Sequence, residues 1–320
     1  MNNKPLREVF GESLTDLGAV NPKVVVLDAD LSSATRSILF GNKFPERFFN
    51  MGITEANMVS TAVGLSTCGL IPYVCTFSFL LTLRATDQIR SQISYPANNV
   101  KLIGTNGGLS GFGDGATHQS IMDLAILRAM PNFKIIVPSD ASSMKWAVQE
   151  VAGIEGPTFI RVPRVPAPEI HRPGTKFEIG KGLVLKKGKD VTIVAMGMMV
   201  SYALDAVKEL TKEGIDAEVV EIHTIKPIDK DLLVESTSRT RAVVTVEEHN
   251  RYGGLFSAVL EALSLESPVP ADWVAIDDHF GGSGQYDELL KVCGLTVDNI
   301  VKKAKRVIKI KEKTGYEQSV

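Results

Sequence analysis

The sequence predicts an α/β protein built from two doubly wound domains, and three observations lead to that prediction. Short apolar runs alternate with longer segments whose apolar residues recur every three to four positions. This is the pattern of strands that alternate with helices. The short runs are almost continuously apolar, as in parallel sheets that are covered on both faces. A proline-rich stretch between Arg161 and Pro173 interrupts the alternation, which then resumes.

In the first half, short apolar runs predict strands at residues 24–27, 71–75, 100–103, 134–137 and 158–161. Apolar residues at helical spacing predict helices at residues 55–65, 82–93, 120–130 and 141–151. In the second half, the same criteria predict strands at residues 191–195, 217–221 and 242–246, and helices at residues 200–213, 256–263 and 297–306.

The prolines of the interruption are Pro163, Pro166, Pro168 and Pro173. Proline blocks helices and central strands alike, so this stretch is predicted to be an extended linker. We therefore divide the chain into a first domain at residues 1–165, a linker at 166–182, a second domain at 183–310 and a polar tail at 311–320.

The composition excludes several functional classes. The net charge of −2 offers no basic excess for nucleic acid. The apolar runs are much shorter than the roughly 18–20 residues that a membrane span requires. The three cysteines, Cys68, Cys75 and Cys293, form no CxxC pair, so neither a disulfide framework nor a zinc site is expected. No secretory signal is recognisable at the N-terminus, and a cytoplasmic location is the expectation.

Several polar or aromatic residues follow predicted strands, where open α/β sheets bind ligands. Glu55 begins a helix after a glycine-containing loop, although an acidic residue there also suits the helix dipole. Phe77 and Phe79 follow the second predicted strand, and core packing is the simpler interpretation for them. Arg161 ends a strand, where it can clamp a phosphate or form an ordinary salt bridge.

The stretch at residues 104–119 has six glycines within twelve positions. Glycine allows positive φ and a close backbone approach to a ligand. The spacing fits neither a dinucleotide-binding GxGxxG motif nor a P-loop. Asn106, Asp114 and His118 lie in this stretch, and a His and an Asp on such a loop favour a functional role.

These segments occur in an order that resembles the pyrimidine-binding and C-terminal domains of transketolases over nearly the whole chain. The first domain contains GITE at residues 52–55, TF at 76–77, DQIR at 87–90, GDGATHQ at 113–119 and LRAMPN at 127–132. The second contains VEEH at residues 246–249, GGL at 253–255 and GSG at 282–284. The resemblance implies a mostly parallel sheet in the first domain and a mixed sheet in the second.

The resemblance also implies roles for these residues. Glu55 matches the glutamate that bonds the aminopyrimidine of thiamine diphosphate, and Phe77 and Phe79 match the aromatic residues that stack on that ring. His118 and Asp114 would contact the sugar donor or acceptor, and Arg161 would hold the sugar phosphate. Asn106 stands where transketolases often carry a histidine, and an amide cannot shuttle a proton.

The diphosphate and Mg²⁺ are held, in such enzymes, by a GDG motif followed well downstream by Asn. Here the GDG at residues 113–115 belongs to the sugar-binding motif, and Asn132 follows too closely. We therefore assign no metal site to this chain. The resemblance implies an N-terminal partner subunit that binds the diphosphate and Mg²⁺, in a heterotetramer with two copies of each chain (α₂β₂) that acts on sugar phosphates.

Two other functions remain open. The β subunit of a 2-oxo acid dehydrogenase, or an enzyme similar to deoxyxylulose-phosphate synthase, shares Glu55 and the domain order. A non-catalytic partner that keeps the fold is the other possibility, although such a protein is expected to lack the glutamate.

Overall fold

The structure, a computed structural model, describes residues 4–313. Two β-sheets form the centre of the chain, and helices cover them. The first sheet is mostly parallel and the second is mixed, which confirms the predicted fold class. Within the described residues, no helix is both long enough and apolar enough to cross a bilayer.

The first half supplies six strands to the first sheet. They are β1 (Val24–Asp28), β2 (Phe48–Asn50), β3 (Ile71–Phe77), β4 (Lys101–Thr105), β5 (Lys134–Ile136) and β6 (Thr158–Val162). The α-helices of this half are α1 (Leu6–Val20), α2 (Ser32–Thr35), α3 (Ile38–Lys43), α4 (Glu55–Thr67), α5 (Ser78–Arg84), α6 (Thr86–Gln88), α7 (Asp123–Arg128) and α8 (Ala141–Glu150).

The second half supplies the five strands of the second sheet and one strand, β10, of the first. The strands of this half are β7 (Leu183–Lys186), β8 (Val191–Ala195), β9 (Ala217–Glu221), β10 (Thr224–Lys226), β11 (Val243–Asn250) and β12 (Ala271–Ile276). Its α-helices are α9 (Met199–Lys212), α10 (Lys230–Thr240), α11 (Leu255–Leu263), α12 (Tyr286–Val292) and α13 (Val297–Lys313).

The first sheet runs β10-β5-β6-β4-β3-β1-β2. All its neighbouring strands are parallel except β10, which pairs antiparallel with β5. Thr224 of β10 lies opposite Ile136 of β5. A strand from the second half therefore completes the sheet of the first half. The second sheet runs β12-β11-β8-β9-β7, with β7 antiparallel to β9.

The central strands β1, β4, β6 and β8 are buried at every residue. Helices therefore cover both faces, as expected for parallel strands with continuous apolar sequences. One core cluster contains Val74 and Leu102 from the first half together with Val220 and Leu255 from the second. The two halves thus share a core, which fixes the loops at the carboxyl ends of the strands relative to each other.

Some elements differ from the sequence-based expectation. The helix predicted at residues 82–93 is divided into α5, α6 and a π-helical turn at Ile89–Ser94. Residues 163–182 form no helix or strand, but Pro166 makes an isolated antiparallel bridge with Pro5. Helix α13 continues to Lys313, three residues into the segment predicted as a tail, and residues 314–320 lie outside the described part.

Candidate active site

A cavity of about 320 Å³ lies at the carboxyl ends of β1 and β3. It brings together four of the predicted site residues, Glu55, Phe77, Phe79 and His118. Asp30, from the loop after β1, also lines it. The sequence reasoning missed Asp30, although an acidic residue just past a buried strand is a signal that could have found it.

Glu55 is the first residue of α4, and its side chain is only 3% exposed. The Nη1 atom of Arg84 lies 3.3 Å from Oε1 and 3.4 Å from Oε2 of this carboxylate. Arg84 belongs to α5 and is 54% exposed at the rim of the cavity. The carboxylate is thus buried next to the cavity with one long, exposed ion pair, and it can accept a hydrogen bond from a ligand.

Aromatic rings form another wall of the cavity. Phe77 ends β3 and Phe79 lies in α5, with ring centroids 6.2 Å apart. The ring of His118 approaches to 6.1 Å from Phe77 and 5.4 Å from Phe79. A flat heteroaromatic group would find apolar surface and a buried acceptor together here.

The glycine-rich stretch after β4 places its polar residues differently. His118 reaches the cavity, whereas Asn106 is buried and does not line it. The side-chain amide nitrogen of Asn106 has no hydrogen-bond partner within residues 4–313. Asp114 is exposed, and its Oδ2 accepts a hydrogen bond from Nη1 of Arg164 at 3.0 Å.

Arg161, predicted to hold the sugar phosphate, is surrounded by partners within the protein. Its side chain is 6% exposed. Nε and Nη2 donate to both carboxylate oxygens of Asp123 at 2.9 and 3.0 Å. The guanidinium also donates to the carbonyl oxygens of Ser120 and Glu248. Because these contacts use most of its donors, the structure favours a structural role for Arg161.

Arg7, Arg36 and Arg164 lie close enough for the charges of the other two to act on Arg7, and Arg164 pairs with Asp114. Burial lowers the pKa of Arg7, and the positive charges of Arg164 and Arg36 lower it further. Arg36 also pairs with Glu8. The sequence reasoning missed this group because Arg7 comes from α1 and Arg36 from the end of α2, far from Arg164 in sequence.

Within the described residues, no group of three or more His, Cys, Asp or Glu side chains is arranged to hold a metal ion. Asp114, in the GDG tripeptide, faces Arg164 rather than other carboxylates.

Two family descriptions match this chain. Transketolase, pyrimidine binding domain, covers residues 3–168, and transketolase, C-terminal domain, covers residues 180–300. The chain belongs to the transketolase family. The matched ranges leave residues 169–179 between them, and the domain boundaries drawn from the sequence stay a prediction.

Relatives of similar length identify the chain more closely as the C-terminal part of a split transketolase. It is 42% identical to the putative transketolase C-terminal section of Methanocaldococcus jannaschii, covering 94% of this chain and 95% of that one. It is 37% identical to the 6-deoxy-6-sulfo-D-fructose transketolase subunit SqwH of a Clostridium species, covering 94% of each. By contrast, 94% of the chain matches only 51% of transketolase-like protein 1 of Bos taurus, at 36% identity.

A solved structure supports the same assignment. The split gene transketolase described as an inactive beta4 tetramer superposes with a TM-score of 0.88 at 47% identity. The match covers 96% of this chain and 98% of that one.

The family generally uses thiamine diphosphate with a divalent metal, and the cavity fits one part of that cofactor. A buried carboxyl group next to two phenylalanines suits an aminopyrimidine ring, whose ring nitrogen can share a proton with a carboxyl group and whose faces need apolar cover. Among the residues that line the cavity, Arg84 is the one permanent cation, and no metal-ligating group accompanies it. The cavity therefore suits the pyrimidine end better than the diphosphate end.

Proposed function

We propose that this chain is the C-terminal subunit of a two-chain transketolase. The complex transfers a two-carbon ketol unit from a ketose phosphate to an aldose phosphate. The observation that carries the proposal is the buried Glu55 carboxylate at an aromatic-lined cavity, in a chain that matches only half of single-chain relatives.

Thiamine diphosphate, when bound, supplies the nucleophilic carbon and the electron sink for the transfer. The chain's own residues hold its ring and share its proton. The Glu55 carboxyl group donates a proton to the pyrimidine ring nitrogen and takes it back, as a positioned general acid and base. Phe77 and Phe79 cover the ring and exclude water.

Arg84 has to release Glu55 before this proton can be shared, because its guanidinium already approaches both carboxylate oxygens. Its exposed position allows that movement, and the contacts that it breaks with Glu55 are long, at 3.3 and 3.4 Å.

The sugar lies across the glycine-rich stretch. His118 and Asp114 hydrogen-bond its hydroxyl groups, and Arg164, with Arg7 and Arg36, binds its phosphate. This arrangement replaces Arg161 as the phosphate ligand because Arg164 is partly exposed and its partner Asp114 is also solvent-accessible. The buried side-chain amide nitrogen of Asn106, which has no hydrogen-bond partner within residues 4–313, can donate a hydrogen bond to an oxygen atom of the sugar.

The N-terminal partner holds the diphosphate and Mg²⁺, and two copies of each chain form the active complex. The related split gene transketolase supports a requirement for a partner, since its four β chains alone are described as inactive. Relatives named for sulfofructose and for apulose 4-phosphate indicate that split transketolases serve several ketoses.

The test is reconstitution with the N-terminal subunit, thiamine diphosphate and Mg²⁺. Xylulose 5-phosphate with ribose 5-phosphate, sulfofructose with an aldose phosphate, and pyruvate are offered separately. We expect ketol transfer by the complex and none by the lone chain. Transfer by the lone chain contradicts the two-chain proposal, and turnover of pyruvate alone favours the 2-oxo acid enzymes.

A further inference from the structure

The glycine loop, residues 106–119, is attached to the second half of the chain at both ends. Near its start, the backbone N–H of Leu109 donates to Oε1 of Glu248 at 2.6 Å. At its end, Nε2 of Gln119 donates to the carbonyl oxygen of Gly282 at 2.8 Å. Asp114 and His118 lie between these two attachments. The loop therefore takes its shape from the second half as well as from its own sheet.

Two glycines allow this close approach. Gly108 has a φ of +66°, and a Cβ atom there would lie 2.5 Å from the carboxyl carbon of Glu248. Gly115 has a φ of +83°, and a Cβ atom there would lie 2.5 Å from Oγ of Ser283. The glycines thus permit contact with the second half, in addition to any contact with a ligand.

Glu248 is itself held in place. It lies on β11 with 4% of its surface exposed. The hydroxyl of Tyr286, the first residue of α12, donates to its Oε2 at 2.8 Å. The Tyr286 ring also lies 6.2 Å from the ring of Phe112 in the glycine loop. Burial raises the pKa of the Glu248 carboxyl group to about 7. This carboxyl group can therefore gain or lose a proton near neutral pH.

We propose that Glu248, supported by Tyr286, is a positioning residue that holds the glycine loop so that Asp114 and His118 meet the sugar. This inference rests on the proposed transketolase function and gives the second half a part in sugar binding. Glycine-rich backbone has many accessible conformations. A buried hydrogen bond from Leu109 and a steric match at Gly108 select one of them.

The experiment compares Glu248→Ala, Glu248→Gln and Tyr286→Phe with the wild type in the reconstituted complex. Tyr252→Phe, in an exposed loop of the second half, is the matched control. Glu248→Ala leaves the Leu109 N–H buried without an acceptor, so we expect KM for the ketose to rise about tenfold. Glu248→Gln keeps an acceptor oxygen and is expected to restore most of that loss. Tyr286→Phe should have an intermediate effect, and cofactor affinity should not change.

Hydrogen–deuterium exchange of the lone chain provides the second readout. In Glu248→Ala we expect faster exchange in peptides from residues 106–119, with β8 and β12 unchanged. An unchanged KM, or unchanged loop exchange, overturns the proposal. Faster exchange throughout the second sheet also overturns it, because it shows a packing role alone. If the wild-type complex lacks transketolase activity, the proposed function fails while the exchange comparison still decides whether Glu248 holds the loop.

Discussion

Two buried carboxylates in the first half are paired with arginine. In one pair, called closed, the arginine is also buried, and in the other, called open, the arginine is exposed. Asp123 is fully buried, and Arg161 reaches it at 2.9 Å with 6% of its own side chain exposed. Glu55 is almost as buried, but Arg84 stands 3.3 Å away and is 54% exposed. The first pair lies where the two halves of the chain meet, and the second lies at the cavity.

The remaining partners show the same contrast. Asp123 also accepts a hydrogen bond from the Ser78 hydroxyl at 2.6 Å. Burial alone would raise the pKa of Asp123, but the charge and hydrogen bonds of Arg161 hold it below its ordinary value. Among the side chains of residues 4–313, Glu55 pairs with Arg84 alone, at 3.3 and 3.4 Å. The closed pair stabilises the fold, and the open pair leaves a carboxylate available for chemistry.

The largest expected effect is on catalysis. Glu55→Gln keeps the size of the side chain but can neither give nor take a proton, so kcat in the reconstituted complex should fall about 10²- to 10⁴-fold. Steady-state ketol transfer measures this. Glu46→Gln, at an exposed position, should retain wild-type kcat. Activity of Glu55→Gln within about twofold of the wild type would mean that the open carboxylate has no catalytic role.

The second prediction concerns stability. Arg161→Met leaves Asp123 buried without its cation, and we expect the free energy of unfolding to fall by roughly 3–5 kcal/mol. Arg84→Met, the matched control, should change it by less than about 1 kcal/mol because Arg84 is exposed and its contact with Glu55 is long. Urea denaturation of the lone chain measures both. Equal losses in the two variants would remove the distinction between closed and open pairs.

The third prediction concerns Arg164, the residue after Pro163. Arg164→Gln removes a charged donor from the proposed phosphate site, so KM for a ketose phosphate should rise roughly tenfold. KM for the unphosphorylated ketose should not change. Arg172→Gln, further along the same linker and exposed, serves as the control. A normal KM for the phosphorylated sugar would exclude Arg164 as its ligand.

The smallest effect is expected at His171, a residue of the linker whose side chain is buried. Its Nε2 lies 2.6 Å from Oε2 of Glu221, and its Nδ1 lies 2.9 Å from Oδ2 of Asp140. Burial opposes the charge, but these two carboxylates raise the pKa of His171 from 6.5 to about 9. Its stabilising contribution is therefore complete below pH 6.5 and is lost as the pH rises through about 9.

Urea midpoints of the wild type and of His171→Gln, measured from pH 6 to pH 10, test this. The advantage of the wild type should shrink across that range. His279→Gln, at an exposed histidine, should leave the profile unchanged. A constant difference between the wild type and His171→Gln would show that His171 keeps one protonation state throughout.

The sequence predicted most of the central strands because buried parallel strands carry long apolar runs. It also contained the resemblance to transketolases that the family matches confirmed, since GITE and GDGATHQ are local patterns. Arg161 and Arg164 differ in their surroundings because of residues far away in the chain. Arg161 is held by Asp123, 38 positions earlier, and by the Glu248 carbonyl, 87 positions later. No local pattern contains that information.

The pairing of β10 with β5 could not be predicted from local sequence patterns either, because a three-residue strand from the second half has no distinctive sequence. Likewise, Arg7 of α1 lies close enough to Arg164 for that charge to lower the pKa of Arg7, although the sequence of α1 has only an ordinary amphipathic pattern.

The strand β10 has a consequence for how this chain can be divided. A truncated chain that stopped in the linker would end with β5 as an open, unpaired edge of an otherwise complete sheet. Such edges invite association with other chains, and the shared apolar core would be exposed as well. The two halves are therefore not interchangeable modules, and we expect them to be inherited, expressed and unfolded together.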